Sequence, residues 1–163
     1  MKIAGTIMNS VVNGIGIRDV LFVQGCTHYC KGCHNPETWN TGGGTEIAEK
    51  ELVKQFLNST NDITISGGEP LLQLESVINF MLYTRLYSNK RFWLYTGYRY
   101  EEIPEHWLLA LSPYVDVLVD GRYEEDKRDL TLQFRGSSNQ RLIDLKASLK
   151  KGEVVIWEDD DND

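Results

Sequence analysis

No apolar run in the sequence is long enough to cross a bilayer, and Met1 to Ser10 carries no signal-peptide pattern. These two absences point to a cytoplasmic protein without a membrane partner. A basic stripe is missing as well. The formal net charge is -7, and Glu158, Asp159, Asp160, Asp161 and Asp163 supply five of the negative charges, which leaves about -2 on the rest. A phosphate backbone needs clustered Lys and Arg, so nucleic acid is not an expected partner. Cysteine is scarce: there are three, an odd number lying within eight residues, which cannot form a disulfide framework. They read instead as metal ligands in a reducing compartment. At 163 residues the chain also lacks the length for two ordinary domains or for eight βα units, a complete barrel taking roughly 250 residues. One domain over residues 1–157 is expected, followed by an acidic, disordered tail over 158–163.

What is present is organised around Gly25 to His34, where Cys26, Cys30 and Cys33 have a C-x3-C-x2-C spacing. A structural zinc site takes four protein ligands, whereas an iron-sulfur cube held by three cysteines keeps one iron open for another ligand. Completion of a zinc site by His28 or His34 keeps a zinc-stabilised interaction module as the alternative.

Along the chain, Lys2 to Met8 and Val20 to Gly25 read as strands separated by a turn at Asn13-Gly14 and Gly16, and the second delivers the chain into the cysteine loop. Thr45-Glu46 then opens a helix with Ala48, Leu52, Val53, Phe56 and Leu57 on one face. Asp62 to Ser66 is a strand, Gly67-Gly68-Glu69-Pro70 a turn, and Leu74 to Leu86 a long helix with a 3.6-residue period. Phe92 to Tyr95, Thr96-Gly97 and Ile103 to Leu111 repeat the plan, and Val115 to Asp120 is another strand, whose alternation leaves Asp116 and Asp120 on a polar face. Beyond Gly121 the pattern weakens: Arg135 to Gln140 is a polar turn, and Val154 to Trp157 reads as a last strand. Strands alternating with helices predict an α/β fold of mostly parallel strands, a partial open (βα) barrel with helices on one side. The cysteine loop, Gly67-Gly68, Thr96-Gly97 and Asp120-Gly121 then all fall at the carboxyl ends of strands, where such scaffolds carry their sites.

A cysteine loop of this spacing after an early strand, with Gly-Gly-Glu-Pro after a later one, resembles the radical S-adenosylmethionine (SAM) enzymes. The resemblance implies that Cys26, Cys30 and Cys33 hold a [4Fe-4S] cluster whose fourth iron is chelated by S-adenosyl-L-methionine. It places Ser66, Gly67, Gly68 and Glu69 along the methionyl end of that cofactor. Gly32, Cys33 and His34 lie near its nucleoside, and Thr96 and Asp120 are further contacts. Gly32 departs from the family pattern, which carries an aromatic residue before the third cysteine; Tyr29 is the expected substitute for stacking.

A finer resemblance is to the anaerobic ribonucleotide reductase activating proteins. It is carried by Asn13-Gly14-Ile15-Gly16-Ile17-Arg18, Leu21 to Cys26, Gly32 to Pro36, Ser66 to Pro70, Tyr95 to Tyr98, Val117 to Gly121, and Phe134-Arg135-Gly136-Ser137-Ser138-Asn139-Gln140-Arg141. It implies SAM cleavage to a 5′-deoxyadenosyl radical and formation of a glycyl radical on the large subunit of the reductase. An electron donor such as a flavodoxin or dithiol system is implied too. Another glycyl radical enzyme is the alternative target. A homodimer is one option for the assembly. Arg135 to Arg141 reads either as a contact to the partner's glycyl loop or the SAM carboxylate, or as a loop whose Ser and Asn bond backbone.

Overall fold

A computed structural model describes residues 1–160, so Asp161 and Asp163 of the expected tail lie outside the described residues. Seven strands form one sheet: β1 (Lys2–Ser10), β2 (Arg18–Val23), β3 (Thr45–Glu46), β4 (Asp62–Gly67), β5 (Phe92–Tyr95), β6 (Val115–Asp120) and β7 (Arg141–Asp144). Their spatial order is β3-β1-β2-β4-β5-β6-β7, a sheet that does not close. The parallel character is confined to the centre, where β2, β4, β5 and β6 run side by side. The pairings β1–β2, β1–β3 and β6–β7 are antiparallel, so the sheet is mixed, with its parallel strands in the centre. A glycine-bearing turn suffices to reverse the chain after β1, whereas each parallel return needs a helical crossover.

The crossovers are α1 (Glu49–Leu57), α2 (Leu74–Tyr87) and α3 (Glu105–Leu111); α4 (Leu145–Lys151) follows β7. Phe56, Val77, Phe80, Met81, Leu108, Leu111 and Leu145 from these helices share one core with Leu21, Ile63, Ile65, Phe92, Leu94 and Leu118 of the strands. The opposite face of β5 and β6 carries a smaller cluster of Trp93, Val117 and Val119, covered by Ile15, Phe134, Leu142 and Trp157 from loops and the last segment. The helices therefore lie on one side of the sheet, as alternation of strand and helix implies.

Three expectations change. Thr45-Glu46 does not open α1; it pairs with Ile3 and Lys2 as the short strand β3, and the helix starts at Glu49 after Ala48. Val154 to Trp157 forms only an isolated bridge, Ile156 to Ile143. The last strand of the sheet is instead β7, at the edge beside β6, with α4 directly after it. In β6 the alternation is broken by a register shift opposite Phe92 and Trp93. Val115 and Leu118 thus both reach the helix-side core while Val117 and Val119 face the other way. The second face of β6 is apolar rather than polar.

The segment before β2 is fixed by Arg18, which is buried. Its guanidinium donates to Thr64 Oγ1 (2.8 Å) and the Ile63 carbonyl (2.8 Å) and lies over the Trp93 ring at 5.4 Å. A side chain at Gly14, where φ is +126°, would meet that arginine at 2.7 Å, so the turn needs glycine on both counts.

Candidate functional site

The four parallel strands end in four loops: Gln24 onward after β2, Gly68 onward after β4, Thr96-Gly97 after β5 and Gly121 onward after β6. They surround a cavity of about 640 Å³ whose wall includes Cys26, Cys30 and Cys33, with Ser66, Gly67, Gly68, Thr96 and His34. The convergence expected from the strand ends is thus present. Gly32, Glu69 and Asp120 are not part of the wall.

The cysteine loop starts from backbone bonds at its base, Gly25 N–H to the Thr38 carbonyl (2.6 Å) and Cys26 N–H to the Trp39 carbonyl (3.2 Å). A turn through Gly32, at φ +77°, lets Cys33 N–H reach the Cys30 carbonyl (3.1 Å). All three thiols are free; Cys26 is 8% exposed and the other two are half-buried. Burial pushes the Cys26 thiol above its ordinary range; the His28 backbone opposes this, while Glu69 and the neighbouring thiols add to it. Burial also raises Cys30, with the Tyr123 backbone opposing it. Asn35 N–H donates to Cys33 Sγ at 3.4 Å. Thiolate ligands of this kind are obtained when a metal centre displaces the protons. Three thiols on one irregular loop, facing a cavity large enough for a small-molecule ligand, fit a cluster that leaves one coordination position to that ligand.

The glycine turn is close-packed against that loop. Gly68 N–H donates to the Val23 carbonyl (2.9 Å) and Glu69 N–H to the Gly25 carbonyl (2.7 Å). A Cβ on Gly68 would lie 2.2 Å from the Gly25 oxygen, and one on Gly67, at φ +101°, 2.4 Å from the Val23 nitrogen. The close approach that requires glycine here is to the chain's own backbone at the mouth of the cysteine loop.

Glu69 is fully buried and both of its carboxylate oxygens are hydrogen-bonded. It accepts from Leu71 N–H (2.9 Å), Thr96 Oγ1 (2.7 Å), Gly97 N–H (2.8 Å) and His28 Nε2 (2.8 Å). Arg122 Nε donates to His28 Nδ1 at 3.1 Å, and because a guanidinium only donates, the ring proton resides on Nε2. Both ring nitrogens of His28 are therefore engaged, which removes it as the fourth ligand of a zinc site in this arrangement. Among the described residues, no group of three or more His, Cys, Asp and Glu is gathered so that it could hold a single metal ion.

Asp120, expected to face the site, is buried on the side of the helices. It accepts from Tyr100 N–H (2.8 Å) and from Arg141 Nε (3.1 Å) and Nη2. Arg141 also forks onto Glu101. Tyr29, the expected stacking residue, is 62% exposed and packs edge-on against Trp39. The aromatic ring beside Gly32 is Tyr123: a Cβ at Gly32 would come within 3.2 Å of it and 2.9 Å of the Glu125 carboxylate. Tyr123 also packs against His34 at 5.1 Å and lines the cavity. No local sequence signal marks Tyr123 or Arg122, because each meets the cysteine loop only through the fold. In the Phe134–Arg141 segment the backbone-bonding reading fits Ser137, Asn139 and Gln140, which bond Glu124, Arg122, Gly121 and Gly136 backbone atoms. Arg135 instead lines the cavity, with Nη1 donating to the Gln140 carbonyl (2.7 Å).

Residues 12–143 match the family described as 4Fe-4S single cluster domain. The anaerobic ribonucleoside-triphosphate reductase-activating protein of Haemophilus influenzae is 38% identical over 146 residues, covering 83% of this chain and 93% of that protein. The protein of the same name from Enterobacteria phage T4 is 41% identical over 138 residues, covering 80% and 86%. That of Escherichia coli strain K12 is 36% identical over 146 residues, covering 83% and 94%.

Proposed function

The chain belongs to the family of anaerobic ribonucleoside-triphosphate reductase-activating proteins, and from that premise we propose that it is a cytoplasmic radical SAM activating enzyme for the anaerobic ribonucleotide reductase. The observation that carries the proposal is the set of three free thiols on one loop, facing a cavity whose wall continues into the adjoining Ser66-Gly67-Gly68 turn.

Cys26, Cys30 and Cys33 would hold a [4Fe-4S] cluster, and the turn after β4 would receive the amino-acid end of SAM through its backbone groups. When bound, that pair supplies one-electron cleavage of the sulfonium, giving methionine and a 5′-deoxyadenosyl radical that takes a hydrogen atom from a glycine of the reductase large subunit. The protein's own share is positional. Glu69, with its four donors, fixes the turn after β4 to that after β5. Tyr123 and His34 supply ring surface beside Cys33, where the chain has Gly32. Arg135 puts a cation in the wall. Val11, Val12 and Leu130 also line the cavity, are strongly exposed, and give it an apolar margin that limits water once a protein segment covers it. An open sheet suits a substrate that is itself a protein loop.

Anaerobic reconstitution tests the proposal. The expected protein binds about four irons per chain and, reduced, converts SAM to methionine and 5′-deoxyadenosine. With the reductase large subunit it yields a glycyl radical seen by electron paramagnetic resonance. A colourless protein retaining only zinc would overturn the cluster, and cleavage without a radical on that subunit would overturn the target.

A further inference from the structure

Between Cys26 and Cys30 the chain makes no helix or strand, and Thr27 and Tyr29 both point outward. The side chain between them turns inward: His28 is 5% exposed at its side chain. Its Nε2 is 2.8 Å from Glu69 of the turn after β4, and its Nδ1 receives Arg122 from the loop after β6. Its ring lies edge-on to Tyr98 at 4.6 Å, just past the end of β5. It also lies over Gly97, where a Cβ would come within 2.4 Å of the ring. One imidazole thus links the loops that follow β2, β4, β5 and β6, the whole parallel part of the sheet.

We propose that His28 is the positioning residue of the cluster site, tying the span from Cys26 to Cys30 to Glu69 so that the thiols are held apart and aimed into the cavity before any cluster is present. The inference rests on the reading that the three cysteines hold a cluster. The physical case is one of loop entropy. Three thiolates on a free loop must each be ordered when the cluster forms, whereas a loop already pinned at its middle leaves less to order. The pin is specific in hydrogen bonding, since Glu69 takes four donors and leaves room for no acceptor opposite it. Gly97 belongs to the same device, because only a residue without a side chain lets the ring reach the carboxylate.

Three variants of the full chain test this. His28→Leu keeps a side chain of moderate size but makes it apolar, which removes both hydrogen bonds. His28→Gln keeps a donor near the place of Nε2. Gly97→Ala leaves His28 intact and pushes its ring away from outside the loop. Each is reconstituted anaerobically, its iron per chain is counted, and the loss of visible absorption to a chelator is timed; apoprotein melting by circular dichroism is followed in parallel. His28→Leu and Gly97→Ala are expected to lose cluster about tenfold faster than wild type or more, as partners that orient metal ligands generally do. His28→Gln is expected to recover most of the lifetime, with apoprotein melting similar between His28→Leu and His28→Gln. Equal lifetimes for wild type and His28→Leu would overturn the proposal, and so would equal losses for Leu and Gln, because then the bond to Glu69 is not what acts. Wild-type protein that takes up no iron would overturn the cluster reading itself, and the inference with it.

Discussion

An added methyl at Gly68 has nowhere to go, because the Gly25 carbonyl oxygen it would meet belongs to the backbone at the base of the cysteine loop. Gly68→Ala is therefore expected to destabilise the apoprotein by roughly 1–3 kcal/mol, as overpacking does, with the loss read from urea unfolding. Gly5 is the internal comparison: nothing lies within 4 Å of its added Cβ and its φ is not positive. Gly5→Ala should stabilise by about 0.4–1 kcal/mol through the unfolded chain, in the same assay. Asp120 belongs to a third kind of residue. Its carboxylate is buried and accepts from Arg141 and Tyr100, so Asp120→Ala leaves the guanidinium with Glu101 alone. A loss of about 1–3 kcal/mol is expected, from the Tyr100 N–H left without its acceptor and the half-buried Arg141 left with one partner fewer. A stability loss without any change in iron content would separate this bracing role from the cofactor contact expected of Asp120.

Among the elements, β5 and the Phe134 segment are joined by one phenol. Tyr95 donates its hydroxyl to the Phe134 carbonyl, and Phe134 sits at φ +65°, a conformation that its own side chain does not favour. Burial pushes the Tyr95 phenol well above its ordinary range, with Arg18 drawing it the other way. Above about pH 10 an unfolded chain sheds that proton while the folded chain keeps it. Stability from Tyr95 is thus complete below that pH and falls as pH rises past it, by at most about 1.4 kcal/mol per unit. Tyr95→Phe should lower stability by about 1 kcal/mol at neutral pH and flatten the alkaline decline, as measured by thermal melts from pH 7 to 11. The elements that could be read from sequence are those whose pattern is local. α2 declares itself by periodicity, β4 and β5 by short apolar runs ahead of glycine turns, and the cysteine loop by spacing. Thr45-Glu46 misled because Thr followed by an acidic residue resembles a helix start, while its pairing partners are Ile3 and Lys2 at the far end of the chain. Helix α4 did carry signals: Asp144 caps it by accepting from Ala147 N–H, and Gly152 ends it in the left-handed conformation. Its apolar face is only Leu145 and Leu149, too narrow to show a period. Glu69 and His28 were visible as residues but not as a pair, since 41 positions separate them.

For the molecule as a whole, the main core lies between the helices and the sheet and includes none of the three cysteines. The cysteine-to-serine triple variant should therefore keep its far-UV circular dichroism and a cooperative melt while losing all cluster absorbance. A protein that unfolds on this change would behave as a zinc-nucleated module instead. The sheet's order has a further consequence in time. Apart from β3, which joins β1 at the other edge, each strand after β2 is laid down at one growing edge, β4 beside β2, then β5, β6 and β7, so a nascent chain can extend this side of the sheet in the order in which it leaves the ribosome. The thiols are synthesised near the beginning, whereas Tyr123, Arg135 and the rest of that wall arrive only after most of the chain has been made. The side of the cavity that Tyr123 and Arg135 form beside the thiols is thus among the last parts of the site to be made.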